Sequence, residues 1–449
     1  MIKSIAVALL SGVMLSPSPN TPRFAFDRFK LDNGLRVILS PDHTAPVVAV
    51  YVIYGIGARA EEEGRSGFAH LFEHMMFQGS KHAPKGMHFA LIEGAGGWLN
   101  ASTHLDFTDY FQVLPSNQLP VALWLEADRM RELNVTEENF ITQREAVKEE
   151  RRLRVDNQPY ASAILDRWPT VAFQNPQNAR SVIGTMEDLD AATLEDVQRF
   201  FDTYYVPNNA VLVIVGDIGM DETRKWVETY FGDIPAKLQP RPPDLREPPQ
   251  TEPRLEEVRD PLAPLPALIV GYRAAPRRTM NYYAMGMLDI VLTGGESSRL
   301  YQGLVKGRES VVDFEADVGW PFADITTYRD PALYTMSIIY KPGYSAQQIL
   351  EQVEEEIARI QKDGVTKEEL ERARNYFRSE RYGGLQPAIA RATLLGRYEI
   401  IDRAPDLVNI DFERFLAVTP KQIQAAAKKY LVPEARSALS ILPGEGKEQ

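Results

Sequence analysis

Cysteine is absent from all 449 residues, so neither a disulfide nor a thiolate metal site is open to this chain. Basic residues are in deficit as well. Fifty Lys and Arg against 62 Asp and Glu leave a formal charge of -12, which argues against nucleic acid or an anionic membrane surface as the main partner. A neutral or basic peptide is the more natural ligand. Long apolar runs are also scarce, and the one at the start, Ile5 to Leu15, is too short to span a bilayer. With Lys3 before it, residues 1–22 have the outline of a secretory signal peptide, although Pro17 and Pro19 crowd the expected cleavage site. A bacterial periplasmic location is expected ahead of a cytoplasmic one. Histidine is the last scarcity: His43, His70, His74, His82, His88 and His104 are the full set, and the second half has none. That half cannot build an imidazole metal site.

Against this background, His70-Leu71-Phe72-Glu73-His74 stands out. At about 100° per residue the two imidazoles leave one helix face a turn apart, with Glu73 beside them, so both reach one metal ion. Histidine and glutamate are costly to bury unpaired in the apolar stretch from Gly67 to Phe77, and a metal removes that cost. A hydrolytic zinc keeps three protein ligands and leaves the fourth position to water, with Glu73 placed to take the water's proton. The other four histidines have no ligand spacing and read as surface or loop residues.

The third ligand is expected on a second helix, from Glu137 to Asp156, where Glu145, Glu149 and Glu150 compete and Gln143 is a weaker choice. Glu150 follows Ala146 and Val147 by four and three residues and precedes Leu153 by three, so it shares the apolar side. Glu149 borders that side less well and stays the alternative.

HLFEH followed after 75 residues by Glu150 resembles the pitrilysin/insulinase family of zinc metallopeptidases, in its mitochondrial processing peptidase-like bacterial branch. Lys30 to Leu35 resembles the family's opening strand, Gly57 to Glu61 precedes the metal helix, and Gly96 to Ala101 resembles its substrate-edge strand. The resemblance implies one zinc per chain on His70, His74 and Glu150, with Glu73 as general base. It also implies a supporting side chain seven residues before the third ligand, where this chain has Gln143 in place of glutamate.

A chain of this length exceeds one core, so at least two domains are expected. Ten of the 31 prolines fall between Pro235 and Pro266, which reads as an extended linker between 23–234 and 267–449. Thr193 to Gly216 and Thr419 to Leu442 superpose at a constant offset of 226, pairing Gln198 with Gln424, Tyr204 with Tyr430 and Val206-Pro207 with Val432-Pro433. An internal duplication follows. The expected fold is α+β: two homologous α/β-roll halves, each an antiparallel-rich sheet covered by helices, the first binding metal and the second not.

In the second half TGGESSRLYQGL, after Leu292, is set beside GFAHLFEHMMF of the first. In related peptidases this half carries an arginine and a tyrosine that hold the substrate backbone. By the resemblance those positions are Val305 and Val312 here, with Arg308 as a substitute, so a homodimer or a heterodimer with a related subunit supplying the pair is expected. Trp98 to Leu114 alternates as a half-buried strand interrupted at Thr103 and Asp109. Its edge would pair with an extended peptide, Asn100 and Ala101 making the contact.

The function expected is zinc-dependent endopeptidase action on peptides or unfolded segments, alone or as the catalytic subunit of a heteromer. The alternatives are a noncatalytic peptide-binding subunit of the same fold, or a structural zinc site with His104 as fourth ligand. No nucleic acid and no membrane span are expected.

Overall fold

The computed structural model describes residues 23–319 and 329–444. The signal-like segment 1–22 lies outside the described residues. In the first half, β1 (Asp27–Lys30), β2 (Arg36–Pro41), β3 (Val47–Tyr54), β4 (Trp98–Thr103), β5 (Thr108–Pro115) and β6 (Ala210–Gly216) form one sheet in the order β1-β2-β6-β3-β5-β4. Its helices are α1 (Phe68–Met75), α2 (Met87–Gly94), α3 (Leu119–Arg131), α4 (Glu137–Arg151), α5 (Trp168–Ala172), α6 (Met186–Asp190), α7 (Leu194–Tyr204) and α8 (Met220–Phe231). The second sheet, β7 (Arg254–Asp260), β8 (Ala267–Arg273), β9 (Val311–Val318), β10 (Leu333–Tyr340) and β11 (Ser437–Pro443), runs β7-β11-β8-β10-β9. With it go α9 (Met280–Thr293), α10 (Ala346–Asp363), α11 (Lys367–Gly384), α12 (Ala388–Asp402), α13 (Asp411–Leu416) and α14 (Pro420–Tyr430).

The duplicated segments fall on α7 to β6 and on α14 to β11. Thr193 and Thr419 each open their helix with a capping box, in which the threonine hydroxyl accepts from the backbone three residues on and that residue's side chain returns the bond. The strands that follow pair alike: β6 is parallel to β2 and antiparallel to β3, and β11 is parallel to β7 and antiparallel to β8. Strand β7 therefore answers to β2. Two expectations change with it. Arg254–Asp260, inside the stretch read as linker, is a strand of the second sheet. The counterpart of α1 is α9, which follows β8 as α1 follows β3 and packs on α11 as α1 packs on α4, rather than the segment after Leu292.

Trp98 to Leu114 is not one strand. It is the hairpin β4–β5, turned at His104–Phe107, and the turn resets the alternation: Tyr110 and Leu114 enter the first core, while Phe111 and Val113 pack on the opposite face. Both faces of this sheet are covered, which is why β3 reads VVAVYVIY without a polar break. Val48, Val50, Val52 and Tyr54 meet helices of the first half; Ala49, Tyr51 and Ile53 meet α12, which crosses over from the second half with Ala392, Leu395 and Tyr398. The second sheet receives the reciprocal cover. Trp168, Val171 and Ala172 of the first half pack on Ile269, Leu439 and Ile441.

Arg277 and Asp402, 6% and 4% exposed, form a two-pronged ion pair at 2.9 and 2.7 Å that fixes the end of α12. Mid-helix, α12 approaches the sheet through Gly396, where a Cβ would stand 2.5 Å from the Tyr51 ring. That ring is itself held, its hydroxyl donating to Asp109 at 2.7 Å. Gly396→Val should therefore wedge the helix off the sheet and cost about 1–3 kcal/mol, seen as a lower thermal midpoint.

Candidate metal centre and active site

The helix α1 starts at Gly67, whose φ of 85° is left-handed and where a Cβ would meet the Ile183 carbonyl oxygen at 2.6 Å, so only glycine fits. No capping side chain comes from Gly67 itself. Glu61, 3% exposed, does that work from six residues away, accepting from the N–H of Gly67 at 3.0 Å and of Ala69 at 2.8 Å. Burial pushes its carboxyl up to about 8, against the pull of those two donors and of Arg180.

Phe68, Ala69, Leu71, Phe72 and Met75 anchor α1 in the core, which leaves His70, Glu73 and His74 on the side toward α4. Thr136 caps α4, Val147 buries its middle, and Glu150 in the last turn faces the histidines. Its Oε2 lies 3.6 Å from His70 Nε2 and 3.2 Å from His74 Nε2. Donor atoms of the three residues all lie within 4.8 Å of one another, the only such group among the described residues. Tetrahedral zinc with bonds of about 2.0–2.1 Å holds its ligand atoms about 3.3 Å apart, so this donor set fits that ion. Glu149 instead points outward and pairs with Arg152 at 3.0 Å. Leu153, taken as a marker of the inward side, is 56% exposed and lies in the π-helical turn, Arg152–Asp156, that follows α4.

Electrostatics separate the two histidines. Burial, with His74 nearby, pushes His70 down to about 4 and keeps it neutral, the form that ligates. Burial pulls His74 the same way, but the carboxylates of Glu150 and Glu73 outweigh it and leave His74 above its usual value. The hydrogen bond from His74, followed by burial and His70, sets Glu150, which ends below the ordinary carboxylate range. Gln143 hydrogen-bonds His74, whereas Nδ1 of His70 is buried without a partner.

Burial pushes Glu73 up to about 7, although Thr103 Oγ1 donates to it at 2.6 Å. Thr103 is the site residue that the sequence showed only as a break in an apolar face, and that break was the available signal. Glu73, the three potential ligands, Asn100 to Thr103 of β4, Arg154 and Arg180 to Ile183 line one cavity of about 550 Å³. Arg154, 76% exposed, reaches Glu150 Oε1 at 3.1 Å. Asn100 Oδ1 accepts from the Ala101 N–H at 2.9 Å, on the strand that ends the sheet.

The remaining expected residues lie elsewhere. His43 and His82 are exposed and pair with Asp217 and Asp128, but His88 and His104 are buried, not surface residues. His88 meets Gln112 at 3.2 Å, His104 meets Ser102 at 3.0 Å, and neither joins the cluster of His70, His74 and Glu150. Val305 packs against the second core, Val312 is exposed, and Arg308 is paired with Glu355.

A family model described as Insulinase (Peptidase family M16) matches residues 36–186, and one described as Peptidase M16 inactive domain matches 191–377. The chain belongs to the insulinase family. Among its relatives is the zinc protease PqqE of Helicobacter pylori, 27% identical over 418 residues, 92% of each chain. Another is the mitochondrial-processing peptidase subunit beta of Lentinula edodes, 24% identical over 89% of this chain and 86% of that one. In three dimensions it is similar to the crystal structure of a protease from Helicobacter pylori, with a TM-score of 0.87 and 25% identity over 94% of this chain and all of that one. The insulinase-family match divides as the histidines do: the part matching the inactive domain has no imidazole ligand pair. Relatives named as zinc proteases support zinc as the metal of this family. No helix among the described residues is long and apolar enough to cross a membrane.

Proposed function

We propose that the chain is a zinc-dependent endopeptidase acting on extended peptides or unfolded segments. The observation that carries this reading is the convergence of His70, His74 and Glu150 beside Glu73 in an open cavity. His70, His74 and Glu150 would hold one zinc ion, and Gln143 would orient His74. When bound, zinc would lower the pKa of a coordinated water toward about 7 and polarise the scissile carbonyl.

Glu73 takes the proton from the attacking water and returns it to the leaving amine, a double task that suits a carboxyl held by burial above its ordinary range. Thr103 fixes the orientation of that carboxyl. Strand β4 positions the substrate: the Ala101 N–H, covered by Asn100 Oδ1, exchanges that acceptor for a peptide carbonyl. Backbone pairing of this kind admits many sequences.

Thr103→Val keeps the shape and removes one hydrogen bond to a charged group, so kcat/KM should fall about ten-fold or more with zinc content unchanged. Steady-state kinetics with metal analysis checks this. The test of the whole reading is peptide hydrolysis by the purified chain before and after chelation. Cleavage lost on chelation and restored by zinc supports it. Zinc bound at one per chain without cleavage would favour the noncatalytic alternative, or a heteromer whose partner supplies the substrate-holding pair that Val305 and Val312 do not. The apolar start of the chain supports a periplasmic location.

A further inference from the structure

A second cavity, of about 370 Å³, opens beside the start of β4, where Trp98 and Phe111 face Leu385, Ile389 and Leu394 around α12. Trp98 is 48% exposed, and its ring stands edge-on to Phe111 with centroids 5.7 Å apart. A half-exposed tryptophan on the terminal strand of a sheet is an aggregation hazard. The same strand lines the metal cavity with Asn100 to Thr103, so one continuous edge serves both spaces.

Strands β3, β5 and β4 are successively antiparallel, and a peptide added to β4 continues that pattern most favourably by running antiparallel to it. Its chain then travels from Thr103 toward Trp98 in its own N-to-C direction. At about 3.3 Å per residue, Trp98 is reached two to four residues beyond the bond placed near Asn100 and Ala101. Side chains of the added strand alternate between faces, so those on the Trp98 face enter the second cavity.

We propose that this cavity is a specificity subsite for a large apolar or aromatic side chain on the leaving-amine side of the cleaved bond, two to four residues after it, with Trp98 as its recognition residue. The inference rests on the peptidase reading above. Glu380, Arg381 and Arg397 supply the charged part of the cavity lining. An acidic or small side chain there gains no apolar burial.

The test uses the full chain with zinc and a set of peptides differing only at the first five positions after the cleaved bond, located by mass spectrometry. Phenylalanine or leucine at one of positions two to four should raise kcat/KM about ten-fold over alanine. Trp98→Ala should bring that ratio to about 1, mainly through KM, and Ile389→Trp, which fills the cavity from the opposite wall, should do the same. No preference, or a preference on the other side of the cleaved bond, overturns the proposal. Fluorescence anisotropy with labelled phenylalanine and alanine peptides on the zinc-loaded Glu73→Gln protein separates the two readings. Without cleavage, a lower Kd for the phenylalanine peptide that Trp98→Ala abolishes overturns the hydrolytic reading and retains the subsite; equal Kd values overturn the subsite.

Discussion

Glu73→Gln is expected to lower peptide hydrolysis by about 10²–10⁴-fold while leaving one zinc per chain. The amide is nearly isosteric, it can still accept the hydrogen bond from Thr103, and it is not one of the three clustered donors. What it loses is the capacity to take a proton, the one property the mechanism asks of that position. Metal content by mass spectrometry and turnover on one peptide, measured on the same preparation, decide the matter. Turnover within a few-fold of the parent would remove Glu73 from the role of base.

His70→Ala should have the other signature: zinc and hydrolysis are lost together. His70 lies on the face of α1 away from its five core residues, so the fold survives the change. Two ligands remain, too few for a closed or a hydrolytic site. Because an ion that binds only the folded chain stabilises it by mass action, the parent's thermal midpoint should rise with added zinc and the variant's should not. Glu150→Gln should resemble His70→Ala, and Glu149→Gln should resemble the parent, since Glu149 meets only Arg152. Full zinc occupancy in His70→Ala would overturn the ligand assignment.

The pairing of His70 with His74 was legible because helical spacing is local: four residues make one turn whatever the remaining chain does. Glu150 was legible through Val147, which is buried as its apolar neighbours required, and in spite of Leu153, which the structure leaves exposed in the π-helical turn after α4. The duplication showed in Tyr204 and Tyr430 because each sits at the same helix end before the same Val-Pro turn. Thr103 and the β4–β5 turn were misread for one reason. Alternation reports which side of a strand a residue takes, and a turn that resets the count is invisible until the pairing of Thr103 with Thr108 is known. The exchange of covering elements was hidden altogether, since the apolar face of α12 does not name the sheet it will cover.

That exchange bears on the order in which the protein can be made. The far side of the first sheet, with Tyr51, Ile53 and Val213, finds most of its cover in α12 and the residues just after it, up to Val408, well over a hundred residues after β6 has been synthesised. Until α12 emerges from the ribosome, the nascent first half carries an apolar surface that neighbouring chains or chaperones will bind. Cutting the gene at the proline-rich stretch would make that transient surface permanent in both fragments. The fragments should be insoluble when expressed apart and soluble when expressed together, so the functional unit inherited from the duplication is the pair of halves.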